Sequence, residues 1–156
     1  MAKKVFYFSN SRFPVAIVAG AIHTGRLPAG KDLGVGSFRD LPFLNMQDGG
    51  EGEIFIIGKD DRGNDIYALS IKGERGMPHR LVESFFRIYK IPRGSLLMVD
   101  SGVGDNLFLL AGRLLNRAGF LVSLGRFFTY TGIKKIYGEL TRLTAGVRDD
   151  LGKSLD

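Results

Sequence analysis

Hydroxyl, amide, acid and guanidinium side chains cluster at three points in this chain. At each, an apolar run gives way to a polar or glycine-rich stretch. The first cluster is Ser9-Asn10-Ser11-Arg12, after Val5–Phe8. The second is Asp100-Ser101-Gly102-Val103-Gly104-Asp105-Asn106, after Leu96–Val99. The third is Ser123-Leu124-Gly125-Arg126, after Phe120–Val122, with Thr129-Tyr130-Thr131 beyond it. A strand-to-loop-to-helix passage exposes backbone N–H groups and a helix amino end, which together favour an anion. In an open α/β sheet such passages gather at the carboxyl edge of the strands, where small ligands bind. Ser9, Asn10, Ser11, Arg12, Asp100, Ser101, Gly102, Gly104, Arg126 and Thr131 are therefore the expected ligand-binding set. Each has a plainer reading: Ser or Asn capping the first helix, a tight turn at Asp100–Gly104, and Thr131 capping the last helix.

The second cluster matches the opening of a dinucleotide or S-adenosylmethionine loop, in which an acid takes a ribose hydroxyl. The third glycine position is Leu107, however, and the next run ends in Gly125-Arg126 rather than an acid. No Walker A pattern and no G-x-S-x-G elbow occurs. The acid/base candidates are His23, on an apolar helix, and Asp100, with Arg12 or Arg126 to stabilise developing charge. A histidine in an apolar helix is also the ordinary signature of a core residue bonded to polar neighbours. His79, beside Pro78, reads as a surface residue. Two histidines and no cysteine give no metal-ligand spacing, no disulfide and no thiol chemistry.

The elements that must carry these residues follow from periodicity. Val5–Phe8 and Ser95–Val99 read as buried strands, and Glu53–Ile57 with Ile66–Ile71 as a hairpin across the polar turn Lys59–Asp65. Val15–His23 reads as a helix apolar on nearly every side, opened by Pro14 and stopped by Gly25 and Pro28. A second helix starts at Pro78 with Leu81, Val82, Phe85, Phe86 and Tyr89 in phase. Leu107–Ala118 is a third helix, with Leu107, Leu110, Ala111, Leu114 and Leu115 on one face. Phe120–Leu124 reads as a further strand, and the last helix is placed from Ile133 to Val147 with Ile133, Ile136, Leu140, Leu143 and Val147 inward. Residues 29–52, rich in glycine, read as a long loop with one helical turn at Asp40–Asn45. Alternating strands and helices predict a single α/β domain over residues 1–147, with a mostly parallel sheet, one antiparallel hairpin and a polar tail over 148–156.

Twenty-two Lys and Arg against sixteen Asp and Glu leave the chain at +6, which favours an anionic partner. The charges are spread along the chain with no arginine-rich arm, so nucleic acid is not the expected partner. No apolar run reaches the roughly 20 residues that cross a bilayer. A cytoplasmic protein with no membrane partner is expected, and a homo-oligomer is left open, with Phe127, Phe128 and Tyr130 as core or subunit contacts.

Ala21-Ile22-His23-Thr24-Gly25-Arg26-Leu27-Pro28, the Gly58–Tyr67 hairpin and Val122-Ser123-Leu124-Gly125-Arg126, with Gly132 and Tyr137 beyond, carry a resemblance over most of the chain. It is to a family of small proteins of spore-forming Firmicutes known only as a domain of unknown function. Members of that family carry a glycine–histidine–serine/threonine loop after the first strand. Here the loop reads Ser9-Asn10-Ser11-Arg12-Phe13, without the histidine. The resemblance implies one cytoplasmic α/β domain and names no cofactor or reaction. The expected function is binding of a small anionic or phosphorylated ligand at the carboxyl edge of the sheet. A small transferase or phosphohydrolase using the same crevice and a non-enzymatic interaction protein are the alternatives.

Overall fold

Four short runs rich in apolar residues form the sheet: β1 (Lys4–Ser9), β2 (Ile54–Lys59), β3 (Asp65–Ser70) and β4 (Leu96–Asp100). They lie in the order β2-β3-β1-β4. β1 runs parallel to β3 and to β4, and β2 is antiparallel to β3 with an irregularity between Ile56 and Gly58. The computed structural model describes residues 3–9, 15–30, 53–71, 74, 76–102, 107–117 and 122–153. The α/β architecture, mostly parallel with one hairpin, is the one the periodicity predicts.

α1 (Val15–His23) and α2 (Met77–Tyr89) stand between strands, with a 3-10 turn at Arg93–Ser95 before β4, and α3 (Leu107–Arg117) and α4 (Val122–Lys153) follow β4. Every residue of α1 is buried, as its uniformly apolar and small composition requires. One side of α1 lies on β1 and β3, and α4 covers another. Gly20 allows the close approach: a Cβ there would stand 3.0 Å from Ile57 Cγ1 and 3.5 Å from Ile66 Cγ2. Gly25, at φ 72°, then turns the chain out of the helix, and the Leu27 N–H returns to the Ala21 carbonyl at 3.0 Å.

Three sequence expectations change at the carboxyl end of the chain. Val122, Ser123 and Leu124 open α4 instead of ending a strand, and Ser123–Arg126 is helix instead of loop. Thr131 does not cap: it lies inside α4 and its hydroxyl donates to the Phe127 carbonyl at 3.0 Å. The expected tail is helical as far as Lys153. The run Phe120–Leu124 is apolar enough for either element, and short apolar runs do not distinguish strand from buried helix. What selects helix is the pairing of α3 with α4, together with the stripe Ile133, Ile136, Tyr137, Leu140, Thr144, Val147 and Leu151, all buried. Asn10, Ser11, Arg12, Pro14, Gly104 and the Asp40–Asn45 turn lie outside the described residues, as does the side chain of Arg126.

The two faces of the sheet differ. Val5, Tyr7, Ile66 and Ala68 face α1 and are fully buried. On the other face Phe6 stacks on Tyr67 with ring centroids 4.5 Å apart, while Ile54 and Ile56 stay exposed.

Filling the Gly20 contact tests how tightly α1 is seated. Gly20→Val is expected to cost about 1–3 kcal/mol by overpacking against Ile57 and Ile66. At this chain length that lowers the melting temperature by roughly 2–10 °C. Calorimetric melting of both proteins checks it, and an unchanged melting temperature would mean that α1 can lift off the sheet without cost.

Candidate functional site

His23 ends α1, an element with no polar side, so its two ring nitrogens must find partners inside the protein. They do. Nδ1 lies 2.6 Å from the Tyr7 hydroxyl, and Nε2 lies 3.3 Å from Asp60 Oδ2. A neutral imidazole satisfies both contacts when Tyr7 O–H donates to Nδ1 and Nε2–H donates to Asp60. Asp60 starts the turn between β2 and β3. Its Oδ1 accepts the backbone N–H groups of Arg62 (2.9 Å) and Asn64 (2.8 Å), and its Oδ2 accepts Asn64 Nδ2 (2.8 Å). Asn64 Oδ1 in turn accepts the Lys3 N–H at 2.9 Å. Gly63, at φ 80°, supplies the left-handed step that this turn needs.

The electrostatics follow from burial. Burial pushes the Tyr7 hydroxyl well above the ordinary phenol value, with Arg148 opposing and Asp60 adding to the shift. Burial lowers His23, and the hydrogen bond and charge of Asp60 only partly offset it. For Asp60 burial acts upward, but the donors from Asn64, Arg62 and His23 prevail and hold the carboxyl below its usual range. Tyr7, His23 and Asp60 form the order nucleophile, base and orienting acid, yet they are 0%, 1% and 9% exposed. The network ties β1, α1 and the hairpin turn together. Arg148 extends the tie to α4 through Asp61 at 2.7 Å, and Arg62 donates to the Arg148 carbonyl at 2.8 Å. On the same helix Tyr137 donates to the Pro28 carbonyl.

A cavity lies elsewhere, at one edge of the sheet. β1, β3 and β4 are parallel, so their carboxyl ends share one edge. There a cavity of about 470 Å³ is lined by Phe8, Met98 and Asp100 from the sheet and by Gly76 and His79 from the start of α2. That volume is in the range of small-ligand clefts. Phe8 and Asp100 are register partners, so their side chains project to the same face, the one opposite α1. Asp100 Oδ1 accepts the Gly102 N–H at 2.9 Å, with Gly102 at φ 70°. Gly76 caps α2 without a side-chain hydrogen bond and Pro78 occupies its first turn. The His79 imidazole is more than half exposed and lies 3.8 Å from Glu83.

The expected ligand set is thus only partly gathered. Asp100 lines the cavity and Gly102 holds its carboxylate. Ser101 stands at the same edge, but its hydroxyl and its N–H both go to the Phe8 carbonyl, at 3.0 and 2.9 Å. Ser9 is buried, and by strand alternation it shares the face of Val5 and Tyr7. Thr131 lies inside α4. Among the described residues, His23 lies on the α1 face of the sheet and Asp100 on the opposite face, so the structure does not bring them together. His79, Gly76, Phe8 and Met98 were not anticipated, because only the tertiary structure brings the start of α2 to the ends of β1 and β4. Asp60 carried a readable signal, since Asp-Asp-Arg-Gly-Asn at a hairpin turn is turn chemistry. Nothing in the sequence, however, pairs it with His23. Among the described residues no cluster of three His, Cys, Asp or Glu suits a metal ion, and no helix is long and apolar enough to cross a membrane.

The family described as "Protein of unknown function (DUF3189)" matches residues 4–149. The chain belongs to that family. No curated protein and no solved structure matches it. The match spans the whole sheet, so the buried Tyr7–His23–Asp60 network and the carboxyl-edge cavity both lie within the family's domain.

The buried network has measurable consequences. Tyr7→Phe is expected to cost about 1–2 kcal/mol, by leaving His23 Nδ1 without its donor. Asp60→Ala is expected to cost about 3–5 kcal/mol, because it strands several buried donors. Denaturant titration orders the two, and equal costs would show that Asp60 does not organise the turn.

The pH response has a definite sign. Because His23 titrates below its ordinary 6.5, the unfolded chain takes up a proton there that the folded chain does not. Stability is therefore full above that value and falls as the pH drops below it. Asp60, held below 3.8, adds a second loss only below that lower value. Melting temperatures followed down to about pH 5 should decline in the wild type and flatten in His23→Gln. Equal slopes would remove His23 as the cause.

Proposed function

We propose that this protein binds a small anionic ligand bearing hydroxyl groups, such as a sugar phosphate or nucleotide, in the cavity at the carboxyl edge of its sheet. The observation that carries this reading is the cavity itself, lined by Phe8, Gly76, His79, Met98 and Asp100. It joins an apolar floor to an acid, an imidazole and the amino end of a 13-residue helix. Each part has a task. The helix dipole and the His79 imidazole favour the anion. Asp100, oriented by Gly102, accepts hydrogen bonds from hydroxyl groups. Phe8 and Met98 offer the apolar contact that small-ligand clefts use for most of their area.

A screen of inorganic phosphate, sugar phosphates and nucleotides by thermal shift tests the proposal. A ligand at a hundred times its Kd adds about 2.7 kcal/mol of stability. His79→Ala is expected to weaken every anion by about tenfold, the equivalent of 1.4 kcal/mol. Asp100→Ala is expected to weaken sugar phosphates by a similar factor while leaving inorganic phosphate unaffected, because only the former carry hydroxyls for the carboxylate. If no anion shifts the melting temperature, the proposal fails. If Asp100→Ala affects both classes equally, the carboxylate holds the loop and not the ligand.

A further inference from the structure

We propose that the α3–α4 hairpin docks on a lipid surface carrying acidic headgroups, a role separate from ligand binding at the sheet edge. α3 packs against α4 and, among the described residues, against no other element to a comparable extent. The contact uses Phe108 on Phe128, with centroids 6.3 Å apart, and Lys135 Nζ at 3.9 Å over the Phe108 ring. Three leucines of α3 are exposed: Leu107 is 81%, Leu110 42% and Leu114 70% exposed. On α4, Leu124 and Phe127 are exposed as well. The spacing 107, 110, 114 makes a single stripe along α3.

Charge identifies what this stripe meets. From residue 106 to residue 138 the sequence holds Arg113, Arg117, Arg126, Lys134 and Lys135 and not one Asp or Glu. A second copy of the same hairpin would set like charges against like. A nucleic acid would accept the cations but offer nothing to exposed leucines. An acidic lipid surface takes both, because apolar side chains enter the boundary between headgroups and acyl chains while the exposed Lys134 stays among the phosphates. At 11 residues, α3 is too short to cross a bilayer, so it lies in the plane of the surface.

The full chain is mixed with vesicles of phosphatidylcholine alone, and with vesicles containing about one third phosphatidylglycerol, and floated on a density gradient. It is expected to associate at least about tenfold more with the acidic vesicles, and less as salt rises. The double variant Leu107→Gln, Leu114→Gln should lose about tenfold of that association. Its melting temperature should not change, since both side chains are already exposed. Lys134→Gln should weaken binding and reduce its salt dependence. Equal association with both vesicles, or none, overturns the proposal, as does salt-sensitive binding indifferent to the leucine changes. Light scattering that shows a dimer abolished by the leucine changes would assign the face to a second copy and also overturn it.

Discussion

α1 has no side that water can accept. Nine consecutive residues without a charge, all buried, require cover on more than one side, and that requirement organises the molecule. The sheet supplies one cover through Val5, Tyr7, Ile66 and Ala68, and the long stripe of α4 from Ile133 to Leu151 supplies the other. Fully burying a Val, Leu or Ile side chain is worth about 1.5–3 kcal/mol, so this sandwich outweighs any polar contact on the surface. The surface ion pairs Lys59–Asp65 and Arg80–Glu74 belong to a class worth about 0–1 kcal/mol.

The same constraint gives His23 its role. An imidazole at the end of a buried helix cannot reach water, and leaving it unsatisfied would cost about 1–3 kcal/mol. The Tyr7 hydroxyl and the Asp60 carboxylate complete it, and Asp60 is completed by the turn it begins. A polar residue inside an apolar element thereby links β1, α1 and the β2–β3 turn, with Arg148 bringing in α4. This arrangement resembles a catalytic relay in its order of groups but serves to hold the core together.

The opposite face of the sheet is left comparatively open. α2 begins at the carboxyl edge, and the crevice between its first turn and the ends of β1 and β4 becomes a cavity with an apolar floor and polar rim. Structural polarity and accessible polarity are thus separated by the thickness of the sheet: His23 and Asp60 on the α1 side, Asp100 and His79 on the other. The family to which the chain belongs has no assigned activity, so the reading of the cavity rests on this geometry and on the chemistry of its lining.

Local pattern was enough for what depends on neighbours in sequence. β1, the hairpin, α1 with its Gly25 stop, the proline-initiated α2 and the leucine-rich α3 are each legible from period and punctuation, because side-chain alternation and helical spacing act within one element. Asp100 was legible for the same reason as the residue at which a strand ends in a glycine-rich turn. The fate of Val122–Leu124 was not legible, since a short apolar run satisfies either period, and the choice fell to the packing of α3 on α4. Nor could the sequence pair His23 with Asp60, 37 positions apart, or place Ser9 and Asp100 on opposite faces of one sheet. Those are decisions of strand order, register and layer. They arise from burying whole faces at once, and no window along the chain contains the surfaces that meet.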